Sequence, residues 1–172
     1  MKSAFFAGGC FWCITPVFAE YNGVVKVTAG YSGGNEKSPT YEAVKSQSTL
    51  HRETIRIEYD EAQVSFEDLG CVFLRNVDAF DGGGQFIDRG RSYTLAVYYQ
   101  EKEELLVMEK LISELEAAAG KTVYVALEKF DGFYDAEEYH QNYYLKNPEA
   151  FAEEMRSSGR PVLEKQRKEK KG

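Results

Sequence analysis

The chain has 172 residues, 43% hydrophobic and 28% charged, the size and balance of one soluble domain with ample length for a buried core. A net charge of −7 and a pI near 5.0 argue against a nucleic-acid surface, and no run of 18 apolar residues exists to span a membrane. Three cysteines, an odd number, do not make a secreted disulfide framework, so a cytoplasmic thiol protein is expected.

The opening Met-Lys-Ser-Ala-Phe-Phe is faintly like a signal peptide, but its apolar stretch is too short and runs straight into glycines; residues 4–7 read as a first strand. Gly8-Gly9-Cys10-Phe11-Trp12-Cys13 follows. Two glycines permit a tight turn and close backbone approach, which sets Cys10 at or just before a helix start. Unpaired N–H groups there favour a thiolate, so a lowered Cys10 pKa is expected. Pro16 is tolerable only in the first turn of that helix, which Gly23 closes, and this places Cys13 near its start too. Residues 24–30 alternate like a strand, Tyr31 to Gly34 make a loop, and Ser38-Pro39 reads as the N-cap and N1 of a short helix through Ser46.

The stretch from His51 to Asp60 has a period of two, so Glu53, Ile55, Ile57 and Tyr59 share one face. A carboxylate on that apolar face is either an edge residue reaching water or a buried acid. Burial raises a carboxyl pKa and makes a general acid usable near neutral pH. Ser65 begins a capping-box-like signal for a helix to about Asn76, with Phe66, Leu69 and Phe73 as its core stripe and Cys71 as a small half-buried residue. Residues 78–92 form a long loop, and such loops inside compact domains are usually functional. A strand from Tyr93, a helix from about Glu101 to Ala119 stopped by Gly120, and a strand within 121–130 come next. A last helix is expected to open at Asp135, with Glu138 in the reciprocal capping position, and to end at Asn147-Pro148; His140 on it reads as a hydrogen-bonded structural histidine. Residues 1–160 thus make one mixed α and β domain, and 161–172 a charged, disordered tail.

Several stretches together resemble the A-type peptide methionine sulfoxide reductases. They are Gly-Cys-Phe-Trp at 9–12, Pro39-Thr40-Tyr41, the His-x-Glu at 51–53, Gly-Gly-Gln-Phe-x-Asp-Arg-Gly at 83–90 followed by Tyr93, and Glu-Glu-Tyr-His-Gln at 137–141. The resemblance implies an α+β fold with a two-layer mixed sheet and packed helices, of ferredoxin-like or plait architecture. It implies Cys10 as the nucleophile and Glu53 as the acid, helped by the hydroxyls of Tyr41 and Tyr93. Asp88 would organise hydrogen bonds beside the thiol, and Phe11 and Trp12 would build a slot for the substrate's S-methyl group. The implied reaction is thiol-dependent reduction of methionine S-sulfoxide, free or in proteins, through a cysteine sulfenic acid. It needs no cofactor or metal, and a thioredoxin or glutaredoxin would supply the electrons.

Cys13 stands where the family commonly has glycine, Thr15 where it often has glutamate, Ile87 for an asparagine and Thr94 for an arginine, and no cysteine follows Cys71. A resolving thiol must then be Cys13, Cys71 or an external one, and Cys13, one helical turn from Cys10, is expected. Two other classes compete for the same residues. Cys10-Phe-Trp-Cys13 is formally a C-x-x-C disulfide oxidoreductase motif, though Pro16 interrupts the long helix such a protein needs. A zinc-binding interaction module would want a second close Cys or His pair, whereas Cys71, His51 and His140 are scattered.

Overall fold

In the computed structural model residues 1–160 are described, and the tail expected over 161–172 lies outside them. Strand β1 (Lys2–Gly8) leads into helix α1 (Phe11–Ala19) and strand β2 (Val24–Ser32). Next come α2 (Tyr41–Lys45), β3 (Arg52–Tyr59) and α3 (Phe66–Arg75). A small hairpin, β4 (Gly84–Gln85) and β5 (Asp88–Arg89), precedes β6 (Leu95–Tyr99), α4 (Lys102–Ala119) and β7 (Val125–Lys129). The two-residue strand β8 (Tyr134–Asp135) and the helices α5 (Tyr143–Lys146) and α6 (Pro148–Ser158) follow.

The main sheet has the order β7-β6-β1-β3-β2-β8. All its pairings are antiparallel except β6 with β7, which α4 joins as a parallel crossover. Strand alternation divides β1 between two apolar clusters. Ala4 and Phe6 face the larger one, where the Phe6 ring lies 5.8 Å from Phe18 of α1, and 5.8 and 5.0 Å from Phe66 and Phe73 of α3. Phe5 and Ala7 face a smaller one, in which Phe5 stacks on Phe130 at 4.2 Å. The protein is therefore α+β, a mixed sheet with packed helices, and β1, which delivers Cys10, runs through its middle.

Helix α3 is capped as its sequence demands, with Ser65 Oγ accepting from the Asp68 N–H and Asp68 returning the bond to the Ser65 N–H. Several local expectations fail. Pro16 lies in the second turn of the nine-residue α1, not the first. An interior proline costs about 3 kcal/mol. Burial of Phe11, Ile14, Val17 and Phe18, each worth roughly 1.5–3 kcal/mol, outweighs that cost. Helix α2 starts at Tyr41 rather than Pro39, because Thr40 is its N-cap and Ser38 has a φ of +47°.

The continuous helix expected from Asp135 is absent. Tyr134 and Asp135 pair with β2, residues 138–140 make one 3-10 turn, Asn142 is left-handed, and Pro148 opens α6 instead of ending a helix. The side chains of this stretch bind the rest of the molecule in place of their own backbone. Glu137 accepts from the Tyr31 hydroxyl at 2.8 Å and the Tyr41 N–H at 2.9 Å, and Gln141 bonds both the N–H and the carbonyl of Ala29.

Candidate active site

Gly9, with a φ of +84°, turns the chain from β1 into α1, and Cys10 is the residue that caps the helix. Its carbonyl accepts from the Cys13 and Ile14 N–H groups, while the first N–H of the helix, that of Phe11, is left for an outside acceptor. Glu53 supplies it: Phe11 N–H donates to Glu53 Oε1 at 3.1 Å across the sheet end. Glu53 is 1% exposed, so the apolar face of β3 does bury its carboxyl, and the edge-residue alternative falls.

Both Cys10 and Cys13 are buried and free, at the start of the same helix. The neighbouring Cys13, burial and the nearby Asp88 carboxylate hold the Cys10 pKa well above its ordinary value, against an opposing pull from Arg160. The lowered thiol pKa expected from the helix start is therefore wrong for the resting protein. The helix N–H that was to favour a thiolate is engaged by Glu53 instead. Glu53 is itself pushed well above the usual carboxylate range, chiefly by burial and then by a charge on Cys10, with the Phe11 N–H opposing.

The two tyrosines arrive on separate elements. Tyr41 opens α2, pinned through its N–H by Glu137, and its ring lies 4.3 Å from that of His140. Tyr93 ends a 3-10 turn, Arg91–Tyr93, that Gln47 grips at Ser92: Ser92 N–H donates to Gln47 Oε1 at 3.0 Å and Gln47 Nε2 donates to Ser92 Oγ at 2.8 Å. Burial, then the charge of Glu53, raises both phenol pKa values, so each hydroxyl stays protonated and able to donate. Asp88 sits on β5, opposite Gln85. The loop expected over 78–92 is thus partly ordered as a hairpin, and Gly84 is required there because a Cβ would meet the Asp88 carbonyl oxygen at 2.3 Å. Asp88 is half-buried and its pKa raised by that burial, with Arg160 and Lys45 opposing.

Phe11 and Trp12 begin an aromatic group. Trp12 stacks on Tyr143 at 4.1 Å and 10°, its indole N–H donates to His140 Nδ1 at 3.0 Å, and Tyr41 lies 6.2 Å away. His140 is 2% exposed, as a structural histidine should be. Cys71 is half-buried on α3. Cys10, Glu53, Asp88, Tyr41 and Tyr93 come close enough for their charges to act on one another. Sequence reasoning missed Gln47, Glu137, Tyr143 and Arg160. Glu137 and Tyr143 belong to or adjoin the Glu-Glu-Tyr-His-Gln motif and could have been found there; Gln47 and Arg160 carry no local signal.

A stability prediction follows from Glu53. Its folded pKa lies above the ordinary 4.5, so the native protein keeps a proton that the unfolded chain gives up as pH rises through this window. The stabilisation is complete below pH 4.5 and is lost as pH climbs to the folded value. Glu53→Gln keeps the acceptor for Phe11 and escapes that loss, so its Tm relative to the parent should increase with pH by a few degrees, on the scale of roughly 2–4 °C per kcal/mol. A difference that is the same at pH 4 and pH 8 contradicts the raised pKa.

A buried cysteine pair at a helix start, beside a carboxyl whose pKa burial raises, is the equipment of a thiol-dependent oxidoreductase. Among the described residues no three His, Cys, Asp or Glu side chains gather as a metal would require. A family profile for peptide methionine sulfoxide reductase matches residues 2–171. Peptide methionine sulfoxide reductase MsrA of Bacillus velezensis is 42% identical over 91% of this chain and 90% of its own. The protein of the same name from Streptococcus mutans is 39% identical over 88% and 91%. Among solved structures, reduced Mxr1 from Saccharomyces cerevisiae superposes with a TM-score of 0.81 at 28% identity, covering 86% of each chain. Methionine sulfoxide reductase A of Corynebacterium diphtheriae gives 0.77 at 28% identity over 86% of this chain and 75% of its own. The chain belongs to the peptide methionine sulfoxide reductase family, and the activity that goes with membership is thiol-dependent reduction of methionine sulfoxide.

Proposed function

We propose that this protein reduces the S-epimer of methionine sulfoxide, free or within oxidised proteins, with Cys10 as nucleophile and Glu53 as acid. The observation that carries this reading is the Phe11 N–H bond to Glu53, which anchors a buried carboxyl of raised pKa at the residue next to Cys10. The Cys10 sulfur attacks the sulfoxide; Glu53, with the hydroxyls of Tyr41 and Tyr93, protonates and stabilises the departing oxygen. The oxygen passes to Cys10 as a sulfenic acid while the substrate sulfur gains two electrons and leaves as methionine. Asp88 organises hydrogen bonds beside the thiol, and Phe11 and Trp12 flank the S-methyl group. The test is an assay on the two resolved epimers. Consumption of the S-epimer alone supports the reading, and equal consumption of both overturns it.

Recycling falls to Cys13. It shares the first turn of α1 with Cys10, whose carbonyl its N–H meets at 3.1 Å, so its thiol can attack the sulfenic sulfur, expel water and close a disulfide that two electrons from a thioredoxin- or glutaredoxin-type dithiol reopen. Cys13→Ser should keep the single-turnover burst of methionine but lose turnover driven by thioredoxin, and Cys71→Ser should keep both. Survival of thioredoxin-driven turnover in Cys13→Ser with failure in Cys71→Ser reverses the assignment.

Residues 1–160 are read as one catalytic domain. Its inner strand order, β6-β1-β3-β2, built from the run β1-α1-β2-β3-α3-β6, supports a ferredoxin-like plait extended by β7 and β8. A cytoplasmic site of action is proposed; no helix among the described residues is long and apolar enough to cross a membrane.

A further inference from the structure

The turn that carries Cys10 is held by the far end of the chain. Helix α6 ends at Gly159, whose left-handed φ of +82° turns the backbone so that Arg160 folds inward. Ser158 secures that turn, accepting from the Arg160 N–H at 3.1 Å while donating to the Met155 carbonyl at 3.0 Å. The Arg160 side chain is buried, with its residue 7% exposed. Its Nη2 donates to the Gly8 carbonyl at 2.8 Å and its Nη1 to the Asn76 carbonyl at 3.4 Å, and its guanidinium lies 5.0 Å from the ring centre of Phe86 in the hairpin that bears Asp88. It fills the space next to Gly9, where a Cβ would fall 2.8 Å from Nη2.

We propose that Arg160 is a positioning residue for the reaction: it fixes the Gly8-Gly9 turn from outside and places a permanent positive charge beside the segment that presents Cys10. Both acceptors of the guanidinium are neutral carbonyls, so its charge remains to act on the site. The titratable groups that act on the site are Cys13 on α1, Tyr41 and Lys45 on α2, Glu53 on β3, Asp88 on β5 and Tyr93 before β6; Lys45 acts on Glu53 and Asp88. Cys13, burial and Asp88 disfavour the thiolate, and Arg160 favours it. A thiol whose ionisation its neighbours oppose is helped by such a charge to reach the thiolate that attacks. The inference rests on the reading of Cys10 as nucleophile.

The test separates charge from tethering. In a Cys13→Ser, Cys71→Ser background Cys10 is the sole thiol, and the pH dependence of its alkylation by iodoacetamide reads its pKa directly. Arg160→Gln retains a donor for the Gly8 carbonyl and removes the charge; Arg160→Lys retains the charge. We expect the alkylation midpoint to rise by about one unit in Arg160→Gln and to stay within about 0.3 of the parent in Arg160→Lys, the scale of a nearby opposite charge. Single-turnover reduction at pH 7 should fall about tenfold in Arg160→Gln and recover as pH is raised. A folded Arg160→Gln with an unmoved midpoint overturns the proposal, and so does loss of folding in both variants, which makes the guanidinium a structural staple alone. If Cys10→Ser proves active, the functional reading falls, whereas the alkylation midpoint still decides what Arg160 does to the thiol.

Discussion

Replacing Cys10 with serine is expected to abolish sulfoxide reduction and leave the fold intact. Serine fits the N-cap position that Cys10 occupies, and N-cap preferences favour it, so α1 should form at least as well. The change of one buried atom removes the nucleophile. A hydroxyl remains protonated where a thiol can ionise, so serine offers no comparable nucleophile. Cys13 cannot substitute, because it lies one turn inside the helix and is wholly buried. Activity should drop to background with dithiothreitol as reductant, which bypasses any question of recycling. Near-parental activity in that assay defeats the assignment of Cys10.

The second large effect is expected at Glu53. Glu53→Gln keeps the volume and the acceptor for the Phe11 N–H, so α1 should stay in place. It removes the acidic proton, and a positioned general acid is worth roughly 10² to 10⁴ in rate. The sign of the pH dependence follows from the raised pKa: the parent carboxyl acts while protonated, so its contribution declines as pH rises past the folded value. The variant's deficit should therefore shrink toward low pH, where solvent acid can protonate the sulfoxide oxygen, and shrink again at high pH, where the parent loses its own acid. A first step within threefold of the parent at pH 7 reassigns Glu53 to a structural role.

The positions of Cys10 at a helix start and of Glu53 on a buried strand face are legible in the sequence. Cys10 was marked by the glycines ahead of it, and Glu53 by its place on the apolar face of a strand whose other members, Ile55, Ile57 and Tyr59, are all buried. Such signals are local: a period of two, a turn before a helix, a capping box at Ser65. The parts that escaped depend on contacts between residues far apart in the chain. The helix start at Cys10 promises a lowered thiol pKa, but burial and the Asp88 carboxylate, brought in from a distant hairpin, raise it, and Glu53, 42 residues from Phe11, takes the N–H. The stretch 133–147 has helical capping residues, but Glu137 and Gln141 spend their hydrogen bonds on Tyr31, Tyr41 and Ala29. Arg160 contacts Gly8 across 152 positions of sequence, and nothing around it announces that partner.

The most direct test of the chemistry is to trap the oxidised cysteine. The protein carrying Cys13→Ser and Cys71→Ser should be mixed with one equivalent of methionine S-sulfoxide and dimedone, and its peptides read by mass spectrometry against the methionine formed. One methionine per chain with the dimedone adduct on Cys10 is the expected result. Stoichiometric methionine without an adduct at Cys10 would show that the oxygen does not pass through that sulfur.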